Sequence, residues 1–223
     1  MADPRKAGTQ TPGFTLGTPA LVCRWRLANR TLPLENRHLR ALGARALGGH
    51  RVPQQLVAWA KQHIEWTLRE GSAEHLDGVL MLIVDDRGQA AMTVGPYAPI
   101  EHPRLRTLVA RARDGSTEAS RTGVAPESLW LVRADQLVWV APRGATPSAT
   151  SSLMVDLAKA LGFPVVREDG LADALAQGTP AADVCEEAFL VSDEHGIVPA
   201  SDHGGPRSAR FSADYARLLA KAR

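Results

Sequence analysis

A chain of 223 residues, 44% hydrophobic and 22% charged, is long enough to bury a core as one large domain or two small ones. Its formal charge of +2, with no basic helix face, argues against nucleic acid as a partner, and no apolar run approaches membrane-spanning length. The opening MADPRKAGTQTPG lacks the apolar stretch of a secretory signal, so a cytoplasmic location is expected.

Residues 1–13 read as a disordered leader. Residues 20–27, ALVCRWRL, alternate as a strand does, and Ala28-Asn29-Arg30 turn it. Leu34, His38, Leu42 and Ala46 recur every four residues, a helical stripe closed by Gly48-Gly49. Pro53 opens the longest helix, which runs to about Glu70 and buries Leu56, Val57, Ala60, Ile64 and Leu68. GVLMLIV (78–84) is a buried strand that folds back onto QAAMTV through Asp85-Asp86-Arg87-Gly88. A basic helix, Leu105 to Arg113, then leads into DGSTEASRTGVAPE, whose Gly, Ser and Thr mark it as the linker.

SLWLVRADQLVWVAP (128–142) is a second hairpin, turning at Ala134-Asp135-Gln136. Thr146, Ser148, Thr150, Ser151 and Ser152 come next, ahead of an apolar helix that stops at Gly162-Phe163-Pro164. The strand PVVRE, a helix at Leu171–Ala176, the strand EEAFLV and an amphipathic helix from Phe211 complete the chain. The fold class is α+β, in two halves at 14–115 and 127–223 with an interdomain linker at 116–126. All five tryptophans (Trp25, Trp59, Trp66, Trp130 and Trp139) fall at expected core positions, and His38 lies on the apolar side of its helix. Cys23 and Cys185, far apart and without metal-ligand spacing, are expected as reduced core thiols.

The hydroxyl cluster before the helix at 150 has two physical uses. Free N–H groups at a helix start can hold an anion, or neighbouring hydroxyls can cap them. A second polar span, SDEHGIVPASDHGG, gathers Asp193, Glu194, His195, Asp202 and His203, all metal-ligand types. A polar surface loop collects such residues anyway, and no metal is assigned. Tyr97, Glu101 and His102 sit in a proline-stiffened loop, GPYAPIEHP, and no Gly-x-Ser-x-Gly elbow frames a serine nucleophile.

Four segments, in order, resemble the class IV aminotransferases, which include the branched-chain aminotransferases and aminodeoxychorismate lyases and share the pyridoxal-phosphate fold type IV. They are LPLENRHLRAL, ESLWLVRADQLVWVAP, ATPSATSSLMVDLAKALGFPVVRE and EEAFLVSDEHGIVPA. The resemblance implies a shortened two-domain version of that fold and, as the family usually dimerises, a homodimer. It also implies a lysine that forms the aldimine with the cofactor. Of the four lysines, Lys61 and Lys159 lie inside helices, Lys6 and Lys221 near the ends, and none is at the family position. The phosphate-binding arginine falls on Ala41, beside Arg40, and the pyridine-binding glutamate on Gly123, with Glu127 nearby. The phosphate-turn threonine falls on Asp193, whereas Thr150 keeps its family identity.

The expectation is therefore a class IV scaffold without pyridoxal phosphate and with the helix start at Thr150 used as a cap. The interdomain cleft would serve another small polar molecule, neutral or zwitterionic, or a partner. Tyr97, Thr150, Ser151, Ser192 and Asp193 are the candidate ligand-binding residues, and no residue is given a catalytic role. An active pyridoxal-phosphate lyase or aminotransferase, and a cofactor-independent or metal-dependent enzyme with a rebuilt pocket, remain the alternatives.

Overall fold

The structure is a computed structural model that describes residues 15–71 and 74–221. The expected leader, 1–13, lies outside the described residues. The first half runs β1 (Pro19–Arg26), α1 (Glu35–Ala44), a short ribbon of β2 (Ala46–Leu47) and β3 (His50–Arg51), α2 (Gln54–Gly71), β4 (Val79–Asp85) and β5 (Ala90–Gly95). β1, β4 and β5 form an antiparallel sheet in that order. Alternation along β1 sends Leu21, Cys23 and Trp25 inward, into a core shared with Leu39 and Leu42 of α1 and Ala60 and Ile64 of α2. Val22 and Arg24 consequently face outward. The expected helical stripe stops short of Ala46, which lies in β2, because Gly48 and Gly49 both take positive φ and turn the ribbon there.

The second half begins with α3 (Leu105–Thr122), β6 (Val124–Ala125), β7 (Glu127–Arg133), β8 (Gln136–Val140), β9 (Thr146–Pro147) and α4 (Ala149–Ala160). It continues with β10 (Val165–Glu168), α5 (Leu171–Ala176), β11 (Glu187–Ser192), β12 (Gly196–Pro199) and α6 (Pro206–Lys221), the last starting five residues before the expected Phe211. Its five-stranded sheet has the order β10-β8-β7-β11-β12, with β10 parallel to β8 and the other pairs antiparallel. α3 and α5 cover one face through Leu108, Ala112 and Ala172; α4 and α6 cover the other through Met154, Ala158 and Phe211. Burial on both faces explains why LWLV in β7 and AFLV in β11 are unbroken apolar runs instead of alternating ones.

Two expectations need correction. The span 116–126 is not a loop: α3 continues through it to Thr122, Gly123 closes the helix at φ 82°, and β6 follows. The reason is packing, since Leu108, Val109, Ala112, Gly115, Ala119 and Thr122 are all buried and extend one helical stripe across the weak helix formers. The tryptophans also divide. Trp25, Trp130 and Trp139 are core residues, but Trp59 is half-buried against His63 and Trp66 is exposed. Both cysteines are buried and free, and burial pushes each thiol up to about 11.

Candidate functional site

The turn between β11 and β12 lies where the two halves meet: the Arg26 N–H of β1 donates to the Asp193 carbonyl at 3.0 Å. Its residues separate in direction. The Ser192 hydroxyl accepts the N–H groups of Glu194 (3.1 Å) and His195 (3.0 Å) and donates to Glu127 Oε1 (2.7 Å). The turn is thereby tied to the start of β7. Arg111 of α3 donates to the same Glu127 oxygen at 2.7 Å and to His195 Nε2 at 2.9 Å. Because a guanidinium can only donate, His195 accepts at Nε2 and carries its proton on Nδ1. Burial holds the ring below its usual pKa, with Glu194 opposing and Arg111 reinforcing that effect. Glu194 takes a two-pronged bond from Arg24, at 2.5 and 2.7 Å; burial would raise its pKa, but that pair pulls it below the ordinary value.

Asp193 points the other way, into the protein. Its side chain is 4% exposed; Oδ1 accepts the Thr150 N–H at 2.8 Å and Oδ2 lies 3.6 Å from His38 Nδ1. Burial alone would raise this carboxyl's pKa, but His38 and Thr150 bring it below the normal range. The Thr150 hydroxyl lies near both Asp193 and Tyr215 but in hydrogen-bond geometry with neither. The hydroxyls of Ser148 and Ser151, by contrast, are used internally. Ser148 caps the helix by accepting the Ser151 N–H, and the Ser151 hydroxyl is 3.2 Å from that of Ser128, which in turn receives the Trp130 indole N–H.

Two cavities flank the Arg24–Glu194–Arg111 rank. The inner one, about 310 Å³, is bounded by Gly115 and Glu118 of α3 and by Glu127, Ser192 and Asp193. The outer one, about 780 Å³, is bounded by Ala98–His102, Arg106, Thr107 and His195. Tyr97 stands beside them: the Arg26 guanidinium lies 3.4 Å over its ring, and its ring centroid is 5.7 Å from that of His195. Of the five expected ligand-binding residues, Ser192 and Asp193 thus line the inner cavity and Tyr97 stands by the outer one. Thr150 and Ser151 are sealed behind Asp193 at 0% and 1% exposure.

The five residues weighed as metal ligands do not converge. Asp193 serves α4, Glu194 serves Arg24 and His195 serves Arg111; Asp202 accepts the Leu105 N–H and His203 faces the Cys185 carbonyl. Among the described residues, no group of three His, Cys, Asp or Glu side chains could hold a metal ion. Sequence reasoning missed Arg24, Arg26 and Arg111 as site residues. The signal for the first two was charge at the outward positions of an otherwise apolar strand. For Arg111, it was a place four residues before Gly115 on one helix face.

No family model and no curated protein matches the chain by sequence. Solved structures do match. A hypothetical aminotransferase from Mycobacterium tuberculosis, in its apo form, superposes with a TM-score of 0.64 at 13% identity over 96% of both chains. The fold IV-transaminase CpuTA1 from Curtobacterium pusillum gives 0.62 at 15% over 99% of this chain and 90% of that one. The 4-amino-4-deoxychorismate lyase from Pseudomonas aeruginosa gives 0.53 at 18% over 95% and 96%. The fold is that of the fold type IV aminotransferases.

In this fold type IV chain, Ala41 is buried in α1, and the adjacent Arg40 is exposed at a separate cavity of about 470 Å³ with Arg37 and Thr146. Gly123 is spent on capping α3, and Glu127 on Arg111 and Ser192. Lys61, Lys159 and Lys221 are exposed on α2, α4 and α6, and none of them lines the cavities beside Arg111. No helix among the described residues is long and apolar enough to cross a membrane.

Proposed function

We propose that this chain is a class IV aminotransferase scaffold that has lost pyridoxal-phosphate chemistry and binds a small polar molecule in the cleft between its halves, as a cytoplasmic homodimer. One observation carries the reading. The N–H of Thr150, at the start of α4, is already taken by the buried Asp193 carboxylate. If the phosphate lay at this helix start, as the sequence resemblance implies, it would meet that carboxylate directly. Two like charges about 4 Å apart repel by ~1 kcal/mol in water and by ~4 kcal/mol near a protein surface. The residues present do not fit the group, and the placement of the lysines points the same way.

The second reading, an active pyridoxal-phosphate enzyme, is favoured by the company of the fold. The M. tuberculosis aminotransferase has a PLP-bound form and an α-ketoglutarate- and PMP-bound form, with TM-scores of 0.62 and 0.61. The two readings separate in one experiment. Purified protein is incubated with pyridoxal phosphate, reduced with borohydride and mapped by mass spectrometry. No visible aldimine band and no specific lysine label are expected; stoichiometric labelling of Lys61 or Lys159 overturns the proposal. Gel filtration with light scattering tests the assembly, with a two-chain mass expected and a monomer at micromolar concentration against it.

A further inference from the structure

Apart from the cleft, a groove of about 890 Å³ runs between α1 and α2, bordered also by Arg51 of β3 and the adjacent Val52. It shares no residue with the cavities beside Arg111. Asn36, Arg40 and Gly43 lie on one face of α1, and Gln54, Val57 and Lys61 on one face of α2. Each helix thus gives the groove about two turns, a length of ~10 Å. The floor is apolar, with Leu39 and Val52 buried and Gly43 and Val57 half-buried. The rim is cationic: Arg40, Arg51 and Lys61 are all exposed. No carboxylate lines the groove, and none lies at ion-pair distance from these three among the described residues. Arg51 is also held in place, since its Nε donates to the Gly43 carbonyl at 2.9 Å. Arg37, by contrast, is spent on Ser152 and Asp156.

In a chain whose formal charge is only +2, three unpaired cations around one groove make a local positive field, and that field selects an anion. The shape of the groove selects the kind. The cations stand on three separate elements, which matches several anionic groups rather than one. An inorganic anion would leave the apolar floor uncovered. No aromatic side chain lines the groove for a nucleic-acid base to stack on. An open groove two turns long suits a chain that runs past its ends, with apolar side chains facing the floor.

We propose that the α1–α2 groove docks an acidic segment of a partner protein. Its apolar side chains rest on Leu39, Val52 and Val57, and its carboxylates pair with Arg40, Arg51 and Lys61. Gly43 makes the room: a Cβ there meets Val57 at an ordinary 3.5 Å, so a longer side chain fills the groove without forcing the helices apart. This surface goes beyond the reading of the cleft and does not rest on it.

The test uses the full-length chain and the fluorescence anisotropy of a short labelled peptide in which glutamates flank leucines at helical spacing. Saturable binding that weakens as salt rises is expected. It should be lost when lysines replace the glutamates or serines replace the leucines. Arg40→Gln, Arg51→Gln and Lys61→Gln should each weaken it severalfold, and the three together at least tenfold. Gly43→Leu should weaken it at least tenfold, whereas Gly43→Ala and Lys159→Gln, an exposed cation on α4, should leave it unchanged. The absence of saturable binding to wild type at low salt overturns the proposal without needing any variant. So does equal binding of the serine peptide, or tighter binding of tripolyphosphate or a single-stranded oligonucleotide. A folded Gly43→Leu protein that binds like wild type overturns it as well.

Discussion

Replacing Asp193 with alanine is expected to lower folding stability by about 3 kcal/mol, because it leaves the buried Thr150 N–H without its acceptor and removes the buried carboxylate that faces the His38 ring. The Thr150 N–H donates to Asp193 at 2.8 Å, and His38 Nδ1 faces the same carboxylate at 3.6 Å, outside hydrogen-bond distance. Nothing else in the described surroundings replaces them, since the Ser148 hydroxyl is committed to the Ser151 N–H. Asp193→Asn separates the two roles, as its carbonyl oxygen still accepts from Thr150 but its charge is gone, so a smaller loss of about 1 kcal/mol is expected. The sign of the pH dependence follows from the depressed carboxyl. A group whose pKa is lower folded than unfolded contributes stability above the unfolded value, about 3.9 for aspartate, and loses it as pH falls through the folded one. The gap between wild type and Asp193→Asn should therefore be constant from neutral pH to about pH 5 and close below pH 4. Urea denaturation across that range measures it. A gap that widens in acid would show that this carboxyl is not stabilised in its charged form.

How far the sequence reached depends on which interaction sets each feature. Period and punctuation are local, so β1, the two hairpins, α2, α4 and α5 were legible from alternation, four-residue stripes and Gly or Pro stops. That a hydroxyl in this run caps the helix was legible for the same reason, but the cap expected at Thr150 falls on Ser148, which accepts the Ser151 N–H three residues on. Asp193 was legible as a carboxylate misplaced for a phosphate. That it reaches across 43 positions to the Thr150 N–H was not. Trp66 carries an apolar side chain at helical spacing, but the sequence does not say that its face of α2 meets solvent. The Arg111–Glu127–His195 cluster joins residues 16 and 84 positions apart, and only the packing of α3 on β7 brings them together. Thr150 and Ser151 looked like ligand contacts because groups at a helix start are available in isolation; here Asp193 takes the Thr150 N–H, Ser128 faces the Ser151 hydroxyl, and both residues are buried.

The helix mistaken for a linker supplies the last test. Gly115 was counted among the residues that mark a linker, yet a Cβ built there would stand 2.3 Å from the Glu127 carbonyl oxygen. The obstacle is backbone in the five-stranded sheet, which cannot rotate aside as a flexible side chain could. On helix propensity alone, alanine should gain up to about 1 kcal/mol over glycine at an interior position. Close packing predicts the opposite sign, with a net loss of about 2 kcal/mol for Gly115→Ala and more for Gly115→Val, as overpacking a tight contact costs roughly 1–3 kcal/mol. Arg111 lies one turn earlier on the same face, and Glu118, on the next turn, pairs with the buried Arg45. Forcing α3 away from β7 therefore also separates Arg111 from Glu127. Equilibrium urea unfolding gives the stability, and the Arg111 Nε–H signal gives the geometry. Both should change in Gly115→Ala. If alanine instead stabilises the protein and leaves that signal in place, α3 does not press on β7 at this residue, and the wall that the helix provides for the cleft loses its physical basis.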